Sequence, residues 1–422
     1  VRSRHSAILA LLFAFLAIGS HGSQAADTPA FRRGINLARL HSLPTEDPSR
    51  PGAFLWPPFQ GPLAAISDAE LVRLHGLGFD FIRLPVAPAP FLTQTENRRQ
   101  VLFAELFATV KRLQDAGFGV LLDAHPNHID ENWSAPAILS KADGPAFREY
   151  SAWLVKLARF LRDRPSQKTA LGLMNEPQEE CHIPGAGDWT RMQPILHAAV
   201  RDTAPDLPIV VTTGCWSSPD ALSHLDMSIY DDKTLIDVHY YRPHAFTHQG
   251  LPFASTPTRY LSGLAYPGVG ADVNLTLFRS MQLIKQRQQD GADIPGDAMT
   301  QVKDAVADYY DNPPIVDEAY IPGHFAAIKQ WADEQKVDPA RLIIGEFGAA
   351  RPPKGTPENP GRTLWLEHVR KAAEANGFGW AMWDYNAGDG YPGFGLVFDN
   401  ESRKIDPDVV DALGLDPKGL RR

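Results

Sequence analysis

The chain has 422 residues, 44% of them hydrophobic and 22% charged, with a formal net charge of −9 at pH 7. This is ordinary globular composition with room for a large core. Its acidic balance gives no electrostatic reason to hold nucleic acid or anionic lipid, so an uncharged partner suits it better.

In chain order, residues 1–25 read as a secretory signal peptide. Arg2 and Arg4 form a basic start, Ala7 to Ile18 is an unbroken apolar run, and Ser23-Gln24-Ala25 has the small residues of a cleavage site. The run is short for a bilayer span. A secreted or periplasmic protein with no membrane contact after cleavage is therefore expected, with an uncleaved anchor as the alternative. Cleavage would remove two arginines and no acid, taking Lys plus Arg from 41 to 39 against 50 acids and the net charge from −9 to −11.

Beyond that segment, β-rich apolar runs alternate with helical patterns. The predicted strands are Arg33–Leu37, Phe79–Pro85, Val120–His125, Leu171–Asn175, Ile209–Thr213, Leu235–Tyr240, Leu342–Glu346 and Gly379–Trp383. Most are nearly continuous Val, Ile, Leu and Phe, as parallel strands buried on both faces require. Helices are predicted over Asp68–His75, Val101–Ala116, Pro145–Arg164 and Pro360–Asn376, with a short last one near Pro407–Leu413. Asn359 before Pro360 fits an N-cap followed by proline. Gly78, Gly117 and Gly377 fit helix C-termini.

Eight such alternations predict an α/β fold, a closed (β/α)8 TIM barrel in a single domain over 26–422. An open doubly wound sheet is the rival, but the Gly-rich turn expected after its first strand is missing. The stretch from Tyr241 to Leu342 is far longer than one βα unit needs. It is read as an insertion at about 244–340, with helices over Leu275–Gln289 and Met299–Tyr310. The two cysteines, Cys181 and Cys215, fit a disulfide or two free thiols, and neither has metal-ligand spacing. No metal, cofactor or nucleic acid is expected, and the chain is expected to be monomeric.

In a barrel of this kind chemistry gathers where strands end. Those ends read Asn36, Arg83, His125, Asn175-Glu176, Cys215-Trp216, His239 to Tyr241, Glu346 and Trp383. Glu176 and Glu346 each follow an apolar run, where a carboxylate is costly unless something uses or neutralises it. Paired carboxylates are the equipment of glycoside hydrolysis. Trp216 and Trp189 are candidate sugar platforms, with Trp56, Trp133 and Tyr391 further aromatics near loops. The spacing of His239, His244 and His248 does not present three nitrogens to one ion.

Taken together, Asn175-Glu176-Pro177 after the fourth strand and Glu346 on the seventh resemble glycoside hydrolase family 5. The likeness extends to Arg83 in Ile82-Arg83-Leu84-Pro85, His125 after Asp123-Ala124, His239-Tyr240-Tyr241, and Trp383. It implies a retaining (β/α)8 glycosidase with Glu176 as acid/base and Glu346 as nucleophile. Arg83, His125, Asn175, His239, Tyr241 and Trp383 would then serve as substrate-binding or supporting groups. The implied substrate is a β-linked glucan, cleaved first of all as by an endo-β-1,4-glucanase. Exo- or endo-β-1,3-glucanase, β-mannanase and a non-catalytic carbohydrate-binding barrel are the alternatives. His125-Pro126-Asn127 and the long stretch after Tyr241 depart from the family pattern and bear on substrate preference.

Overall fold

The computed structural model describes residues 31–421, apart from 51, 128, 164–167, 178–188, 312–315, 353–355 and 387–392. The expected signal peptide, Cys181 and Tyr391 therefore lie outside the described residues. Eight parallel strands close a barrel in sequence order. They are β1 (Arg33–Asn36), β2 (Phe81–Val86), β3 (Gly119–Ala124), β4 (Thr169–Gly172), β5 (Ile209–Thr212), β6 (Thr234–Tyr240), β7 (Leu342–Phe347) and β8 (Gly379–Met382). β1 pairs with β8, Gly34 beside Ala381, which leaves no open edge in the barrel.

Every residue of β2, β3, β6 and β7 is buried, because one face looks into the barrel and the other onto helices. The inward side chains of the lower barrel, Phe81, Leu121, Ala170, Val210, Leu235, Ile343 and Ala381, pack with Phe31 as one apolar layer. Gly34 completes it by leaving room: a Cβ there would fall 2.3 Å from the Phe81 ring. The polar residues lie above this plug, at the strands' C-terminal ends.

The helices follow the sequence pattern with small shifts. Asp68–Leu77 opens with a capping box in which Ser67 and Glu70 exchange side-chain and backbone bonds. The helix expected from Pro360 instead spans Arg362–Ala375 with Gly361 as its N-cap. Asn359 is not the cap. Its amide accepts from Gly263 N–H at 3.2 Å and donates to the Ala350 carbonyl at 3.3 Å, tying two loops together.

Between β6 and β7 lie three long helices, Val273–Gln289, Ala298–Asp311 and Tyr320–Glu334. The third packs on the barrel through Phe325, whose ring centroid is 5.0 Å from that of Tyr240. No helix among the described residues is long and apolar enough to cross a membrane.

β7 carries an irregularity that matters for the site. Val238 pairs with Ile344 and His239 with Glu346, so Gly345 is an extra residue in the ladder. Its N–H donates to Asp237 Oδ1 at 2.8 Å, and a Cβ on it would sit 2.1 Å from that oxygen.

Candidate active site

Arg83, wholly buried on β2, is the centre of the cluster. Its Nη1 donates to Glu346 Oε1 at 2.7 Å and to Asn36 Oδ1 at 3.0 Å. Its Nη2 donates to Asn175 Oδ1 at 2.8 Å and lies 3.1 Å from Asp123 Oδ2, while Nε is 3.4 Å from Asp237 Oδ2. Burial works against the guanidinium charge, but Asp123, Glu346 and Asp237 hold it protonated and raise its pKa.

The two glutamates share one ring nitrogen of His239. His239 Nδ1 is 2.8 Å from Glu176 Oε1 and 3.7 Å from Glu346 Oε2, and Nε2 is 3.6 Å from Asp237. Burial opposes protonation of this imidazole, yet the carboxylates of Glu346 and Asp237 prevail and lift its pKa to about 10. Tyr241 OH donates to Glu346 Oε2 at 3.0 Å. Glu346 is buried, whereas the Glu176 side chain is 29% exposed and opens toward solvent. Burial raises the Glu346 pKa, His239 and Arg83 pull it down, and the charge of Glu176 pushes it up again. Glu176 itself has φ 40°, left-handed backbone rarely taken by a non-glycine residue and typical of functional sites.

Donor atoms of Glu176, His239 and Glu346 all fall within 4.8 Å of one another. Such a trio has the size of a cation site, but a cation is already built in: the Arg83 guanidinium pairs with Glu346 at 2.7 Å. Counting charges, Arg83 and protonated His239 face four carboxylates, those of Asp123, Asp237, Glu176 and Glu346.

His125 Nδ1 is 3.0 Å from Asp123 Oδ2, and its Nε2 is 3.4 Å from Asn175 Nδ2. Trp383 lies parallel to the His125 ring, centroids 5.8 Å apart with planes within 8°. All eight of the expected central residues, Glu176, Glu346, Arg83, His125, Asn175, His239, Tyr241 and Trp383, are thus brought to one mouth of the barrel.

The outlying aromatics divide. Trp216 is 50% exposed on a turn in which Cys215, Trp216 and Ser217 have φ of 52°, 53° and 57°. Cys215 is disulfide-bonded, and the chain's other cysteine is Cys181. Trp189 is a correction. It is only 2% exposed and its indole N–H donates to the Thr212 carbonyl at 2.9 Å, so it is a core residue with no face for a sugar.

A family model described as Cellulase (glycosyl hydrolase family 5) matches residues 64–389. The chain belongs to glycosyl hydrolase family 5. Among curated relatives of this family 5 chain, Endoglucanase C of Acetivibrio thermocellus is 22% identical over 208 residues, 48% of this chain and 58% of its own length. The chain therefore spans little more than half of that relative. The Clostridial cellulose synthase subunit Z (CcsZ) of Clostridioides difficile shares the fold with a TM-score of 0.60 at 21% identity, over 91% of this chain and 99% of that one. Endoglucanase Cel5A of Thermotoga maritima does so with a TM-score of 0.61 at 18% identity, over 92% and 98%.

Two members of the family 5 cluster escaped the sequence reading. Asp123 and Asp237 lie two residues before His125 and His239, so on a strand each shares its histidine's face. The repeated Asp-x-His was the available signal. Asp384, nearly buried beside Trp383, also went unread, since one acid after a strand carries no signal of its own.

Proposed function

We propose that this chain is a retaining β-glycosidase acting by double displacement, with Glu346 as nucleophile and Glu176 as acid/base. The observation that carries the reading is the pair of carboxylates, an oxygen of each within 4.8 Å of the other. Retaining enzymes hold their carboxyl groups about 5–5.5 Å apart, inverting ones about 6.5–9.5 Å, to admit a water.

The surroundings separate the two roles. Glu346 accepts hydrogen bonds from Arg83 and Tyr241, both of which favour its charged form. Glu176, the more exposed of the two and open to an incoming sugar, takes the proton donor's part in the proposal. In the first step a Glu346 oxygen bonds to the anomeric carbon, the glycosidic bond breaks, and the departing oxygen takes the Glu176 proton. Esterification cancels the Glu346 charge, and Glu176 next takes a proton from water as that water displaces the ester. Asn175 Oδ1 is held by Arg83 and one side of its Nδ2 faces His125 Nε2, which leaves the other N–H to donate to the sugar 2-hydroxyl. Trp383, backed by His125, is a flat floor for the sugar under attack.

A β-linked glucan is the proposed substrate and internal β-1,4 cleavage the proposed action. The names of the curated relatives and the Trp383 ring lying parallel to His125 at the site support it. Glu176→Gln and Glu346→Gln are each expected to lower kcat by about 10²–10⁴-fold. Proton NMR of the first products should show the β-anomer retained, and net inversion would refute the double displacement. Assays on carboxymethyl-cellulose, mixed-linkage glucan, laminarin and mannan, with product lengths followed over time, test the substrate. Release of a single short product from the earliest times would replace internal cleavage by exo-action.

A further inference from the structure

Past β6 the chain turns at Leu251-Pro252-Phe253-Ala254, where the Ala254 N–H donates to the Leu251 carbonyl at 3.1 Å. The turn is held from both sides. Arg287 Nη2 donates to the Gly250 carbonyl at 2.6 Å, and Arg259 Nε to the Ala254 carbonyl at 2.7 Å. Leu251 and Ala254 are buried in a small apolar cluster with Ala350 and Phe394, and Tyr241 and Trp383 pack against that same cluster. Phe253, between the two buried residues, is 70% exposed, the most exposed large apolar side chain among the described residues.

Ring contacts place Phe253 relative to the site. It meets the His248 ring at 6.3 Å, with planes 87° apart. His248 in turn meets Tyr241 edge-on at 5.0 Å and Phe394 at 5.3 Å. The Tyr241 hydroxyl donates to Glu346 at 3.0 Å, so Phe253 stands on the nucleophile's side, two ring contacts from the tyrosine that holds it. With His248 intervening, Phe253 meets not the sugar over Trp383 but one further along the same chain.

A single exposed apolar side chain is ordinary at a protein surface. This one is set apart by its footing, a braced turn on the cluster that also supports Trp383 and Tyr241. The turn holds the ring in place before a ligand arrives, so little ordering entropy is lost on binding. A pyranose presents C–H groups on its faces and hydroxyls around its rim. A flat ring against such a face removes apolar area from water and leaves the hydroxyls hydrated.

We propose that Phe253 is a platform for a sugar of the glucan beyond the one under attack. The assignment rests on the β-1,4-glucan reading and adds to it the residue that sets how strongly long chains are preferred over short ones. Phe253 touches no reacting group. Its contact is the same in the ground and transition states, so it lowers KM and leaves kcat unchanged.

The test measures kcat/KM along the series from cellotriose to cellohexaose, which in the parent should rise with length until the outer site is filled. In Phe253→Ala the ratio of cellohexaose to the shortest member cleaved should fall about fivefold to tenfold, through KM, as one ring's contact is lost. The shortest member itself should be cleaved as before. Phe253→Trp and Phe253→Tyr should keep the ratio, and Phe253→Leu, apolar without a flat face, should recover less than either. A ratio unchanged in Phe253→Ala, an equal loss at every length, a loss carried by kcat, or full recovery by leucine overturns the assignment and leaves the glycosidase reading intact. A parent that cleaves no member of the series overturns the β-1,4-glucan reading and the assignment with it.

Discussion

Asp384 follows Trp383 at the end of β8, 5% exposed, and its carboxyl is pushed up to about 7. Burial is the main cause, Glu346 adds to it, and Arg39 only partly offsets it. An acid whose pKa is higher folded than unfolded binds its proton more tightly in the native state. Its contribution to stability is then greatest at low pH and falls as pH rises from about 4 through 7. Asp384→Asn, which carries no charge to bury, should therefore be more stable than the parent at pH 8, by on the order of a few kcal/mol. Near pH 4 the advantage should vanish. Urea unfolding at the two pH values checks this, and an Asn variant no more stable at pH 8 would mean the carboxylate is better solvated than its burial implies. His239 runs the other way: as a cation raised to about 10, it contributes stability below its ordinary pKa and loses it as pH climbs through 10.

At the scale of the element, β7 depends on the extra residue Gly345. The bulge brings Glu346 opposite His239 and sets Asp237 against the Gly345 N–H. Gly345→Ala would place a methyl group 2.1 Å from Asp237 Oδ1, deep in the barrel, where neither strand can yield without moving the site. A stability loss of about 1–3 kcal/mol is expected from the overpacking. Activity per folded molecule should fall by about 10²-fold, since a shift of about 1 Å in Glu346 suffices for that. Denaturation curves and kcat on the same preparation separate the two effects, and an activity loss no larger than the loss of folded protein would show that β7 absorbs the methyl. The strands were legible because each is a short apolar run, but their ends were less so. The fourth was read through Asn175, yet its ladder stops at Gly172, and the chain reaches Glu176 in irregular backbone. The bulge was invisible because it is a mismatch between two strands, which neither strand's sequence contains. Trp189 misled for a related reason: a tryptophan beyond the proposed acid suits a platform and a core equally well until the helix that carries it is seen.

For the whole molecule, the ring of eight strands and the central site residues were readable from strand order. The ion-pair network of Arg83 was not. Its partners come from β1, β3, β6, β7 and the segment after β4, and only closure brings them to one point. That closure has a consequence for how the molecule is made. The Asn36 amide donates to the Gly345 and Met382 carbonyls, the latter 346 positions along the chain. Contacts so distant in sequence form late, because most of the intervening polypeptide must be present and ordered first. As the ribosome extends this chain, Arg83, Asp123 and Glu176 emerge well before Glu346, and the seam to β8 later still. Until then Arg83 has Asp123 beside it but lacks Glu346. The last contacts of the candidate site and the seam between β1 and β8 should therefore form together, only once β8 has been made.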